Sequence, residues 1–99
     1  MSKRLISLLV TSVALSSTLA LAPAKAADKD FCRAYTDAAM RQVHEAREHP
    51  RCHDLIRDNP ARWQDDYQGH FNWCLSTHRD DVERERDART RELDGCARG

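Results

Sequence analysis

Glycine, proline and lysine are scarce in this chain. It holds three glycines and three prolines in 99 residues, and Lys29 is the only lysine beyond position 25. So few chain breakers leave no room for a glycine-rich phosphate loop or a series of tight hairpins. Strand-like alternation of apolar and polar residues is missing too, as are internal repeats and low-complexity tracts, and this argues against a sheet. There is no His-Glu-x-x-His, no nucleophile elbow and no Cys-x-x-Cys, the cysteines being separated by steps of 20, 22 and 22 residues. The usual signatures of metalloproteases, serine hydrolases and thiol oxidoreductases are therefore absent. The acid pairs Asp65-Asp66 and Asp80-Asp81 would point to different faces of a helix, and a glycosidase carboxylate pair also needs a cleft. The residues predict a non-enzyme with no catalytic set and no cofactor.

One long apolar run is present, at the start. Lys3 and Arg4 precede the stretch from Leu5 to Leu21, and Ala24-Lys25-Ala26 places small residues where a signal peptidase needs them. The run is diluted by Ser7, Thr11, Ser12, Ser16, Ser17 and Thr18 and is shorter than the roughly 20 apolar residues of a spanning helix. With no cysteine at the cleavage region, a lipid anchor is not expected. Residues 1–26 thus read as a cleaved signal peptide, with an earlier cut after Ala20-Leu21-Ala22 as the alternative. Residues 27–99 read as one domain that folds in the periplasm or outside the cell, without stable membrane insertion. All four cysteines, Cys32, Cys52, Cys74 and Cys96, lie in this part, where oxidation lets disulfides persist.

A chain of this size buries only about 60% of its unfolded surface, so covalent staples are the expected remedy. Without Lys3, Arg4 and Lys25, 13 basic side chains face 16 acidic ones, a net of −3. Such a balance argues against nucleic acid as a partner, because that needs a basic face, and against anionic lipid.

Helical spacing then organises the chain. Asp28 and Asp30 are caps for a first helix reaching about Glu48, with Phe31, Cys32, Tyr35, Ala39, Gln42, Val43 and Ala46 inward. His49-Pro50 ends it, and Arg51–Arg57 reads as one or two turns. Asn59-Pro60 is a restart signal for a helix whose face is Trp63, Tyr67, His70, Phe71 and Cys74, with Trp73 on the flank and Gly69 outward. Thr77-x-x-Asp80 resembles a capping box that would start a third helix near His78; otherwise one helix runs from Ala61 to Asp94. The last stretch turns Val82, Leu93 and Cys96 inward, and Arg86 and Arg89 are expected to lay their stems on the core with their heads in water. Asp80–Arg84, Glu85–Arg89 and Asp87–Arg91 are spaced for i,i+4 ion pairs, and Gly95 is the expected stop.

Four cysteines allow three pairings. One unbroken helix from Ala61 to Asp94 would span roughly 50 Å and favour a nested hairpin with Cys32–Cys96 and Cys52–Cys74. A turn near Ser76-Thr77 instead gives a small three-helix bundle, up, down and up, with Cys32–Cys74 and Cys52–Cys96. The second, all-α arrangement is preferred because it matches the helix lengths and buries both tryptophans.

Trp63-x3-Tyr67-x2-His70-x2-Trp73-Cys74, with Cys32-x2-Tyr35 before it and Arg89-x3-Leu93-x2-Cys96 after, resembles a group of small secreted proteobacterial four-cysteine helical proteins. The resemblance covers nearly all of residues 27–99 and carries no known activity; it implies fold and compartment only. Around Arg51–Asn59 the chain departs from that pattern in having no glycine.

Binding is the remaining class. His70, Cys74 and His78 repeat at i, i+4 and i+8, and His49 and His53 are four apart, a supply of donors that zinc, copper or nickel would accept. Against a metal site, Cys74 is expected in a disulfide and His70 in the core, bonded to a backbone group. Trp73 is the candidate anchor for a partner, either an envelope protein or a small ligand. The protein is expected to be a monomer or weak dimer acting as an envelope interaction module. Metal binding is the first alternative. The second is an acid-responsive chaperone, suggested by the five histidines and the abundant carboxylates.

Overall fold

The computed structural model describes residues 27–98; the expected signal peptide, residues 1–26, and both expected cleavage points lie outside the described residues. Four α-helices follow in order: α1 (Lys29–Glu48), α2 (His53–Asp58), α3 (Tyr67–Leu75) and α4 (Arg79–Ala97), with a 3-10 turn, Pro50–Cys52, leading into α2. The fold is all-α.

α1 begins where the Asp28 carboxylate accepts the Phe31 amide at 2.8 Å, and it stops where His49, held extended before Pro50, cannot continue the helix. Cys32, Tyr35, Ala39, Val43 and Ala46 are buried along one stripe. Thr36 is buried as well, because its hydroxyl folds back onto the Cys32 carbonyl at 2.7 Å and so needs no water. α1 is the spine of the molecule, and α3 and α4 both dock mainly on it.

Cys32 at the start of α1 bonds Cys74 at the end of α3, and Cys52, just past α1, bonds Cys96 at the end of α4. α3 therefore runs against α1 and α4 runs with it. Each disulfide centres an apolar cluster. Ala27, Cys32, Tyr35, Ala39, Cys74 and Val82 form one, edged by Phe31, Phe71 and Leu75. Val43, Ala46, Cys52, Trp63 and Leu93 form the other, edged by Leu55 and Ile56.

The chain turns at Ser76-Thr77, and the nested pairing is excluded. Five local expectations are corrected. Asn59-Pro60 yields a single turn only, with Asn59 Oδ1 accepting the Arg62 amide and its carbonyl the Trp63 amide, both at 3.3 Å. α3 then restarts at Tyr67, capped by Asp66 on the Gln68 amide at 3.1 Å. The break exists because Gln64 and Asp65 have better partners outside a helix: the Gln64 carbonyl accepts from His70, and the Asp65 carboxylate pairs with Arg47 of α1. As a result Trp63 and Tyr67 do not share a face; Trp63 is 1% exposed and Tyr67 39%.

Thr77 does not cap α4. Its hydroxyl donates back to the Trp73 carbonyl, and His78 takes the N-cap position without a side-chain bond. Gly95 does not end α4, which continues to Ala97 past the disulfide-held Cys96. Of the expected i,i+4 pairs, Glu85–Arg89 forms at 3.6 Å with Arg89 buried, whereas Arg84 on the exposed face turns to Asp81 rather than Asp80.

Candidate binding cleft

Between the two apolar clusters lies a polar belt. Gln42 falls between Ala39 and Val43 on α1, and Arg89 between Val82 and Leu93 on α4. Arg89 corrects the fifth expectation: its head is not in water, and the whole residue is 0% exposed. Its Nε donates to Gln42 Oε1 at 2.7 Å, its guanidinium carbon sits 5.0 Å from the Tyr35 ring centroid, and Nη1 lies 3.6 Å from Glu85.

The single turn after Pro60 supplies the second arginine. Arg62 grips Glu85 through Nε and Nη2 at 2.7 and 3.0 Å, and reaches Glu92 through Nη1 at 2.7 Å. Glu92 also accepts the Trp63 indole N–H at 3.2 Å, so the ring can be buried with its polar atom satisfied. Hydrogen bonding to Glu85 raises the Arg62 pKa further, and this fork-shaped grip fixes the turn against α4.

These elements enclose a cleft of ≈ 250 Å³ bounded by Tyr35, Arg62, His70, Trp73, Glu85 and Arg89. Trp73 is 40% exposed and stacks, tilted, on Tyr35 at 5.8 Å between centroids. His70 is buried, and its Nε2 donates to the Gln64 carbonyl at 2.8 Å, which leaves Nδ1 as the acceptor. Burial holds the His70 pKa below the ordinary imidazole value; the Gln64 bond opposes this and the Arg89 charge adds to it. Burial likewise raises the Tyr35 pKa, against the pull of Arg89.

Neither the family models, nor the curated proteins, nor the solved structures contain a match to this chain. Its site must therefore be read from geometry alone.

Of the residues singled out in the sequence, the cleft gathers His70 and Trp73. Cys74 is consumed by its bond to Cys32. His78 is exposed at the start of α4, on the far side of the turn from α3. His49 closes α1 while His53 opens α2, where its Nε2 lies 3.0 Å from the Arg47 carbonyl. Among the described residues no three His, Cys, Asp or Glu side chains are grouped to hold a metal ion. Sequence reading passed over Tyr35, Arg62 and Glu85 as site residues. The available signal was Arg89, a charge at a core register of α4; in the core, such a charge demands partners.

Proposed function

We propose that the protein is an exported, non-enzymatic binding module of an oxidising envelope compartment, periplasmic or secreted, and that it meets its partner at the Trp73 rim of the cleft. The observation that carries this reading is the setting of Trp73. A large aromatic surface is left 40% exposed, yet it rests on Tyr35 and adjoins Cys74, whose disulfide ties α3 to α1. A rigid aromatic at the edge of a pocket is the usual form of a binding hot spot. Two disulfides and an apolar leader support the compartment, and no helix among the described residues is long and apolar enough to cross a membrane.

The test starts with protein taken from the envelope of the producing cell. Its intact mass should correspond to a chain beginning at Ala27 with all four cysteines oxidised; four reactive thiols would overturn the reading. A photo-crosslinking amino acid at position 73 should give one defined adduct that the same group at exposed position 37 does not.

His70 favours a second reading, the acid-responsive chaperone. A buried imidazole with a lowered pKa loosens its surroundings when acid forces a proton onto it. Suppression of client aggregation at about pH 3, lost in His70→Gln, is the expected result; parity with an inert control protein removes the idea.

A further inference from the structure

Two hydrogen-bonding atoms at the cleft are left without partners. Arg89 Nη2 and the Tyr35 hydroxyl are both buried and make no well-formed hydrogen bond. The two side chains, 0% and 2% exposed, bound the same cleft and lie close enough for Arg89 to oppose the rise that burial gives the Tyr35 pKa. A contact between them still leaves each with a donor proton that has no acceptor. A buried donor without an acceptor keeps its desolvation penalty uncompensated, the more so when it is charged. Two of them on adjoining side chains form a deficit that an acceptor-bearing ligand would fill.

The charge around them indicates which acceptor. Both Glu85 oxygens are already engaged by Arg62 at 2.7 and 3.0 Å, and Arg62 has Glu92 as well. Arg89 reaches only the edge of Glu85, at 3.6 Å, and its best bond goes to the neutral Gln42. Of the two arginines, Arg89 is the less neutralised. His70 offers no competing charge, since its Nε2 proton is spent on the Gln64 carbonyl. At ≈ 250 Å³ the cleft is smaller than the roughly 300 Å³ at which pockets for drug-sized ligands begin, so the ligand is small. The apolar contribution is Trp73, the most exposed aromatic of the chain.

We propose that this cleft binds a small organic carboxylate, one oxygen taking Arg89 Nη2 and the other the Tyr35 hydroxyl, with a flat apolar body against the exposed part of Trp73. The proposal rests on the reading of Trp73 as the recognition surface and goes further by naming the ligand. Arg89 Nη2 and the Tyr35 hydroxyl would gain the charge-assisted bonds they lack.

The exported, oxidised protein is titrated with benzoate, benzamide and benzylamine, followed by NMR shifts of the Arg89 side chain and the Trp73 indole. Benzoate should give saturable shifts at both, benzamide should bind about tenfold more weakly for want of charge, and benzylamine should not bind. Arg89→Gln should abolish benzoate binding. Because that variant also removes a core group, Tyr35→Phe serves as the second: it should weaken benzoate about fivefold through one lost bond while leaving thermal stability equal or higher, as the unmet hydroxyl is gone. The proposal is overturned if benzoate does not saturate, if benzamide or benzylamine binds equally well, or if Tyr35→Phe binds benzoate as tightly as the parent. Crosslinking at position 73 is read separately, so a silent benzoate titration beside a defined Trp73 adduct removes the carboxylate and keeps the binding surface.

Discussion

The two disulfides close similar loops, 42 and 44 residues apart in sequence, yet the cores around them are finished differently. Around Cys52–Cys96 the large aromatic and its polar atoms are satisfied: the Trp63 ring is buried, its N–H is taken by Glu92, and Arg62 locks the same carboxylate to the turn. Around Cys32–Cys74 the packing is open at the edge. Tyr35 and neighbouring Arg89 keep unmet polar atoms, Trp73 stands half out, and the nine-residue α3 buries only His70 and Cys74. The first cluster secures the fold; the second gives up stability at the place where a ligand or partner would restore it.

The largest expected effect tests that asymmetry directly. Removing either disulfide should cost about 4 kcal/mol by loop entropy, measured by urea unfolding, because the loops are so alike. Cys32→Ala with Cys74→Ala should in addition release α3, since nine residues fall short of the roughly 12–15 an isolated helix needs, and helical circular dichroism should drop before the main transition. Cys52→Ala with Cys96→Ala should unfold in one step. Identical curves for the two would erase the distinction.

Next in size is Arg62→Met, which strips the clamp from Glu85 and Glu92. Its side chain is 23% exposed, so the loss should be about 2 kcal/mol, below the 3–5 of a fully buried broken pair, and Trp63 fluorescence should shift toward that of a wetter indole. Asp66→Ala should cost about 1 kcal/mol as a lost N-cap; hydrogen exchange should speed in the first turn of α3 and remain unchanged in α1. The smallest effect is a slope. The His70 pKa is lowered in the fold from its ordinary 6.5, so the unfolded chain takes up the proton first. The His70 contribution is therefore intact above about pH 6.5 and declines as pH falls toward and through the folded value. The difference in stability between the parent and His70→Gln, followed from pH 8 to 5 as an order-of-magnitude window, should carry that slope.

Legibility followed the range of the interactions. Both ends of α1 could be read because a cap and a proline act within three residues, whereas the turn at Ser76-Thr77 was only the preferred of two readings, favoured because it matched the helix lengths. The break before α3 was hidden: its causes are Arg47, 18 residues from Asp65, and a His70 bond that a continuous Trp63–Cys74 stripe gives no reason to expect. The Gly95 stop failed because the bond to Cys52 holds the last turn of α4 in place. In the cleft, Trp73 and His70 could be singled out as residue types, but their assembly with Tyr35, Glu85 and Arg89 depends on the contacts of α1 with both α3 and α4.

By itself the sequence determined the helical class and the extent of α1, because periodicity and caps are local physics written in order along the chain, while the cysteine spacing only favoured one pairing of the staples over another. Tertiary structure alone decided that the Arg89 head lies inside, that Trp63 is sealed by Glu92, and that two polar groups remain unmet beside Trp73. Each of these depends on partners tens of residues away, and helical periodicity says which way a side chain faces but not what it meets.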